Sequence, residues 1–197
     1  MYYVSFVLVR VVLVGSGETM INNAVSRWLA SRVAAWAETL IARRAPDFIV
    51  GGSDDPYLRR WFVIPRNRFM NVYLHEFIRD DEDRACHDHP WPSLSLSLRG
   101  DMQEVYLGRV RAPGLDYGLF SRGYVRAEIE RGVTPGTVIY RGAKFAHRMI
   151  VPKPGALTLF VTGPRVREWG FLCPKGWVHW RDFVDARDSG KVGRGCE

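Results

Sequence analysis

After Pro46 the apolar residues change period, and that change bounds the possible folds more tightly than any other feature of the sequence. Before it, residues 22–44 carry Val25, Trp28, Leu29, Val33, Trp36 and Leu40 at spacings of three and four, the stripe of an amphipathic helix. Asn22 or Asn23 can cap its start, and Pro46 lies just past its end. The stripe is expected to pack on the rest of the chain or on a second copy. Beyond Pro46 come short apolar or alternating runs separated by turn residues. The predicted strands are 47–50, 60–64, 72–78, 93–98, 102–107, 117–120, 124–129, 137–140, 147–151, 157–162 and 169–172. Arg99-Gly100-Asp101 and Ser121-Arg122-Gly123 read as tight hairpins. Many short strands at this spacing predict a sandwich or barrel, not βαβ units.

With 197 residues, 47% of them hydrophobic, the chain can bury the core of one domain. The predicted division is an N-terminal extension over 1–19, the helix within 20–45, a barrel over 46–184, and a polar, frayed tail over 185–197. The first fourteen residues are apolar but too short to span a bilayer, and Arg10 interrupts them. They lack a basic start and a good cleavage site, so no membrane association is expected. Translation beginning at Met20 is the other reading of this extension.

The net charge of +7 would permit a nucleic-acid partner. Arginine is scattered, however, and no lysine run exists, which favours a solvated basic surface. Cys86, Cys173 and Cys196 are odd in number, and their spacing suggests no disulfide framework. No CxxC pair offers a thiolate zinc site. A reducing cytoplasm is the simplest compartment.

Five histidines are present, two of them in Cys86-His87-Asp88-His89-Pro90. Residues two apart on a strand share a face, so His87 and His89 can present two imidazoles to one point. Neutral imidazole suits iron, zinc, nickel, copper or manganese. Surface HxH pairs are common, so the motif alone decides little. On the preceding strand, alternation puts Tyr73, His75 and Phe77 on one face; His75 and Tyr73 are either substrate-side groups or core. One of Arg59, Arg60 and Arg66 could turn inward and grip a carboxylate or phosphate, although surface placement suits any single one better. Arg148 should point away from His147. Trp91, Trp169, Trp177 and Trp180 either form a stacking surface or close the barrel end as core, with His179 structural.

His87-x-His89, ten residues, then Gly100 resembles the first motif of the cupin superfamily, HxH followed by a glutamate and a glycine. Gly136 and His147 keep the spacing of the second cupin motif, while Gly142, Lys144 and Val151 stand at its proline, second glycine and asparagine. His-Asp-His-Pro-Trp and Arg-Glu-Trp-Gly-Phe also resemble segments of uncharacterised cupin-like proteins of bacteria and phages. The resemblance implies an all-β double-stranded β-helix, a jelly-roll barrel, here behind an N-terminal helix. It implies one divalent metal on His87, His89 and His147, with Fe(II) favoured over Zn, Mn or Ni. The usual carboxylate ligand falls at Ser93, which leaves a three-histidine site with open positions, similar to cupin dioxygenases that act on thiols. Glu104 could reach the metal or a nearby water; a salt bridge to an arginine suits it equally. The expected function is an Fe(II)-dependent dioxygenase acting on a small polar substrate. A metal-dependent isomerase or lyase and a non-enzymatic sensor module are the alternatives. Cupins are often dimers, so a homodimer is also expected.

Overall fold

The computed structural model describes residues 12–14, 18–51, 55–80, 85–111, 124–187 and 191–197. The predicted strand at 117–120 and the turn at 121–123 lie outside them. The strands are β1 (Val12–Val14), β2 (Glu18–Ile21), β3 (Phe48–Val50), β4 (Leu58–Phe62), β5 (Asn71–Phe77), β6 (Ser93–Arg99), β7 (Met102–Arg111), β8 (Tyr124–Val133), β9 (Val138–Arg141), β10 (His147–Ile150), β11 (Ala156–Thr162), β12 (Gly170–Cys173) and β13 (Gly176–His179). The helices are α1 (Ala24–Arg43) and α2 (Trp180–Phe183). None is long and apolar enough to cross a membrane.

Two layers of antiparallel strands enclose the interior. The first is an eight-stranded sheet in the order β1-β2-β9-β6-β11-β5-β4-β3. The second combines β10-β7-β8 with β12-β13. The segment around His87 joins these two ribbons, because His87 bridges His147 on one side and Phe171 on the other. His87 N donates to His147 O at 2.9 Å, and His147 N donates back to His87 O at 3.0 Å. The architecture is the jelly roll expected from the sequence.

The turn at Arg99-Gly100-Asp101 is not a hairpin. β6 pairs with β9 and β11, whereas β7 pairs with β8 and β10, so the turn carries the chain from one sheet to the other. Gly100 has φ of 77°, and a Cβ there would lie 2.2 Å from Gly155 O. Local sequence reports the glycine but not which ladder follows it.

Asn23 caps α1 in a reciprocal box with Ser26: each side chain accepts from the other's backbone N–H at 2.9 Å. The helix buries a different face from the one expected. Ser26, Ala30 and Ala37 are buried, with Val33 and Leu40 packed beside them, while Val25, Trp28, Leu29 and Trp36 are exposed. The sheet supplies the bulk at this contact: Trp61, Leu74, Leu96, Leu98 and Leu157 fill its outer face. A helix lying on such residues approaches through small ones. Gly136 of the second motif serves the same contact, since a Cβ on it would lie 2.8 Å from the Arg27 Cα.

The cysteine reading also requires correction. Cys173 and Cys196 form a disulfide, with Cα atoms 5.4 Å apart, and Cys86 is buried outside it. The pairing is tertiary: a small core of Ala85, Phe171, Cys173 and Phe183 gathers β12, α2 and the C-terminal segment. The described part of the tail is therefore fastened, not frayed. Gly193 N and Gly195 N both donate to Phe183 O, and Val184 bridges Val192. Cysteine count no longer argues for a reducing compartment.

Candidate metal centre

Alternation in the segment after β5 sends His87 and His89 to one side and Asp88 to the other. Asp88 is buried among β12–β13 groups, accepting from Gly170 N at 2.8 Å and Trp177 Nε1 at 3.2 Å and pairing with Arg167. His147 opens β10 and meets His87 through their shared backbone rung. One ligand atom from each of the three histidines falls within 4.8 Å of the others.

His89 Nε2 and His147 Nε2 are 2.8 Å apart. Two imidazole nitrogens bound at right angles to a metal at about 2.1 Å would be about 3 Å apart. The His89–His147 pair therefore has the spacing of two ligands on one divalent ion, with a His87 nitrogen within 4.8 Å of both. Among the described residues the donor set comprises imidazoles only; Glu104 takes a different role.

Glu104 lies on β7 and is wholly buried. Its Oε1 is 2.5 Å from His147 Nδ1 and 2.6 Å from Arg141 Nε, and its Oε2 pairs with Arg131. Of the two sequence readings, the arginine pairing describes its contacts, and it also touches His147 on the ring nitrogen turned away from His89. A carboxylate on Nδ1 fixes that proton and leaves Nε2 facing His89. Burial would raise the Glu104 pKa, but Arg141, His147 and Arg131 outweigh it and hold the carboxyl well below its usual range. Burial lowers His147 to about 4 against the upward pull of Glu104, with Arg141 and His87 adding to the lowering. Burial, then His147 and His87, holds His89 well below the ordinary histidine value. His89 and His147 are thereby kept as neutral bases.

Ser93 is buried, and its Oγ has no hydrogen-bond partner. It pairs with Arg141 on β9 and Thr162 on β11, so these three share the inner face of the large sheet. Ser95, two residues on, accepts from Arg141 Nη1 at 2.8 Å. Sequence reasoning missed Arg141 and Arg131; nothing in their local sequence marks them as the partners of a buried carboxylate.

Tyr73 and His75 are buried on the inner face of β5. His75 stacks between Tyr73 and Phe160, with centroids at 5.7 and 4.9 Å. Arg60 points inward, its Nε donating to His75 Nε2 at 2.8 Å, while Arg59 turns outward to Glu76. Arg148 pairs with Glu128, away from the cluster. Trp169 stacks on Trp180 at the barrel end, and His179 caps α2. These aromatics are packing.

No protein-family profile and no curated protein matches the sequence. Solved structures resemble the chain at low identity. Oxalate decarboxylase from Bacillus subtilis matches at 11% identity and TM-score 0.41 over 67% of this chain and 31% of its own. KdgF from Halomonas sp. matches at 14% and 0.40 over 61% of this chain and 96% of its own. HEPD from Streptomyces albus, with 2-hydroxyethylphosphonate and Fe(II) bound, matches at 11% and 0.45 over 62% of this chain and 25% of its own. The chain thus spans less than a third of the first and last of these.

Proposed function

We propose that this cupin-fold chain holds one divalent metal ion, Fe(II) by preference, on His87, His89 and His147, and acts as a dioxygenase-type enzyme on a small polar substrate. The observation that carries the reading is a cluster of three imidazoles with, among the described residues, no carboxylate in its donor set. Such a set leaves coordination positions to exogenous molecules. When bound, the ion supplies Lewis acidity and, as iron, a redox couple. The chain's own part is to direct the His147 Nδ1 proton at Glu104, to keep His89 and His147 unprotonated, and to line the interior with Tyr73, His75, Ser93 and Arg60 for the substrate. The same scaffold would serve a metal-dependent isomerase or lyase, or a sensor that binds without turnover.

The test is metal analysis of the purified protein, then oxygen uptake with candidate thiols and aromatic acids. Stoichiometric iron that vanishes in His87→Ala and His147→Ala is expected. Wild-type occupancy in either variant would remove the metal site. Metal without oxygen uptake would transfer the reading to the non-oxidative alternatives.

A further inference from the structure

The arginines sort by burial. Among the arginines whose side chains are described, seven are at least partly buried: Arg60, Arg79, Arg99, Arg131, Arg141, Arg148 and Arg167. Six of them pair with carboxylates: Arg79 with Asp55, Arg99 with Glu38 and Glu76, Arg131 and Arg141 with Glu104, Arg148 with Glu128, and Arg167 with Asp88. Arg60 alone has no carboxylate.

Its surroundings hold it in place without neutralising it. Nε is committed to His75 Nε2 at 2.8 Å. The guanidinium lies over Tyr73, 4.9 Å from the ring centroid, with Phe48 at 5.9 Å. The charged or titratable groups that act on it are Tyr73, Arg66 and Tyr57, none of them a carboxylate. Burial lowers its pKa; the Tyr73 and Tyr57 phenols pull it back in part, and Arg66 adds to the lowering. His75, buried beside a cation, is held well below the ordinary histidine value, so it accepts from Arg60 as a neutral base. The two terminal nitrogens remain as a fork of donors, the geometry that grips an oxyanion in two places. In the same cross-strand row of the inner face, Arg60 pairs with His75, His75 with Thr158 and Thr158 with Ser97. Ser97 Oγ is buried and has no partner. A desolvated cation without a counter-charge is costly unless a ligand supplies one.

We propose that Arg60, steadied by His75 and Tyr73, is an oxyanion site on the inner face of the large sheet, and that the small substrate is an anion carrying a carboxylate or a phosphate-type group. That the ligand is a substrate rests on the metalloenzyme reading; that the site binds an oxyanion does not. The terminal nitrogens donate to the anion while Nε stays on His75, so recognition requires no proton transfer.

The test is calorimetric titration of the full-length protein with acetate and, separately, inorganic phosphate, each in wild type, Arg60→Met and His87→Ala. Saturable binding with a dissociation constant of order 10 mM or tighter is expected in wild type. It should weaken at least about tenfold in Arg60→Met and persist in His87→Ala. Tighter acetate binding would assign a carboxylate, and tighter phosphate binding a phosphate-type group. Absence of saturation with both anions, or equal affinity in wild type and Arg60→Met, would overturn the proposal. Should Arg60→Met fail to fold, Arg60→Lys makes the same comparison, because one ammonium cannot reproduce the fork; unchanged affinity there would also overturn it. Anion binding that survives in His87→Ala while metal is lost separates this site from the metal centre.

Discussion

Glu104 Oε1 sits 2.5 Å from His147 Nδ1, while the other ring nitrogen of His147, Nε2, faces His89 Nε2 at 2.8 Å. Glu104→Gln keeps the shape and removes the charge. Metal affinity should fall by about 10- to 100-fold, the usual cost of removing a carboxylate behind a ligating histidine. Competition titration against a chelator of known affinity measures it. Unchanged affinity would mean that the contact does not orient His147.

The neutral histidines make the metal-free protein acid-sensitive. An unfolded imidazole titrates near 6.5, whereas His147 in the fold titrates at about 4. Between those values the unfolded chain binds more protons, so stability is full above about pH 6.5 and is lost as pH falls toward 4. For His147 alone the loss amounts to about 3 kcal/mol. His89 and His75 act in the same direction. Glu104 acts later: its stabilisation is complete above the ordinary carboxylate range and is lost only as pH falls through its depressed folded value. Urea unfolding of metal-free protein between pH 7 and pH 4 should show this decline; a flat profile would contradict it.

Ser93→Glu places a carboxylate where related motifs carry a ligand. Metal binding should tighten by about tenfold or more if the side chain reaches the ion. Arg141, its cross-strand neighbour, is the competing destination. Higher thermal stability with unchanged metal affinity would show that the new carboxylate pairs with Arg141 instead.

The Cys173–Cys196 bond closes a loop with a sequence separation of 23. Cys196→Ser should lower stability by about 3 kcal/mol through the freed unfolded chain. Thermal melts with and without reductant check this: wild type in reductant should match the variant. A variant as stable as oxidised wild type would mean that the C-terminal segment is held by its Phe183 hydrogen bonds alone.

The parts legible in the sequence are those set by local period and spacing. Alternation places His87 and His89 on one side and Asp88 on the other, and Tyr73 and His75 on the inner face of β5. Each strand predicted inside the described residues has a counterpart with shifted ends. Features that depend on partners distant in the chain were not legible. The apolar stripe of α1 looked like its buried face because size and apolarity are visible, whereas the Leu74–Leu96–Leu157 surface that demands Ala30 and Ala37 is assembled from three separate strands. Arg141 and Arg131 converge on Glu104 across two sheets. The disulfide joins segments brought together by the Phe171–Phe183 stack. In each case the decisive neighbour lies far along the chain.

The backbone rung between His87 and His147 has a consequence for how the chain assembles. His87 and His89 are neighbours in any conformation of the chain, but His147 is 58 residues beyond His89. An ion held by the first pair would turn capture of the third histidine into an intramolecular event, against a closure entropy that grows only slowly with loop length. Metal supplied during refolding should therefore speed formation of the β10–His87–β12 ladder, and metal supplied afterwards should not. On this view the ion is a fastener of the second sheet before it is a centre of chemistry.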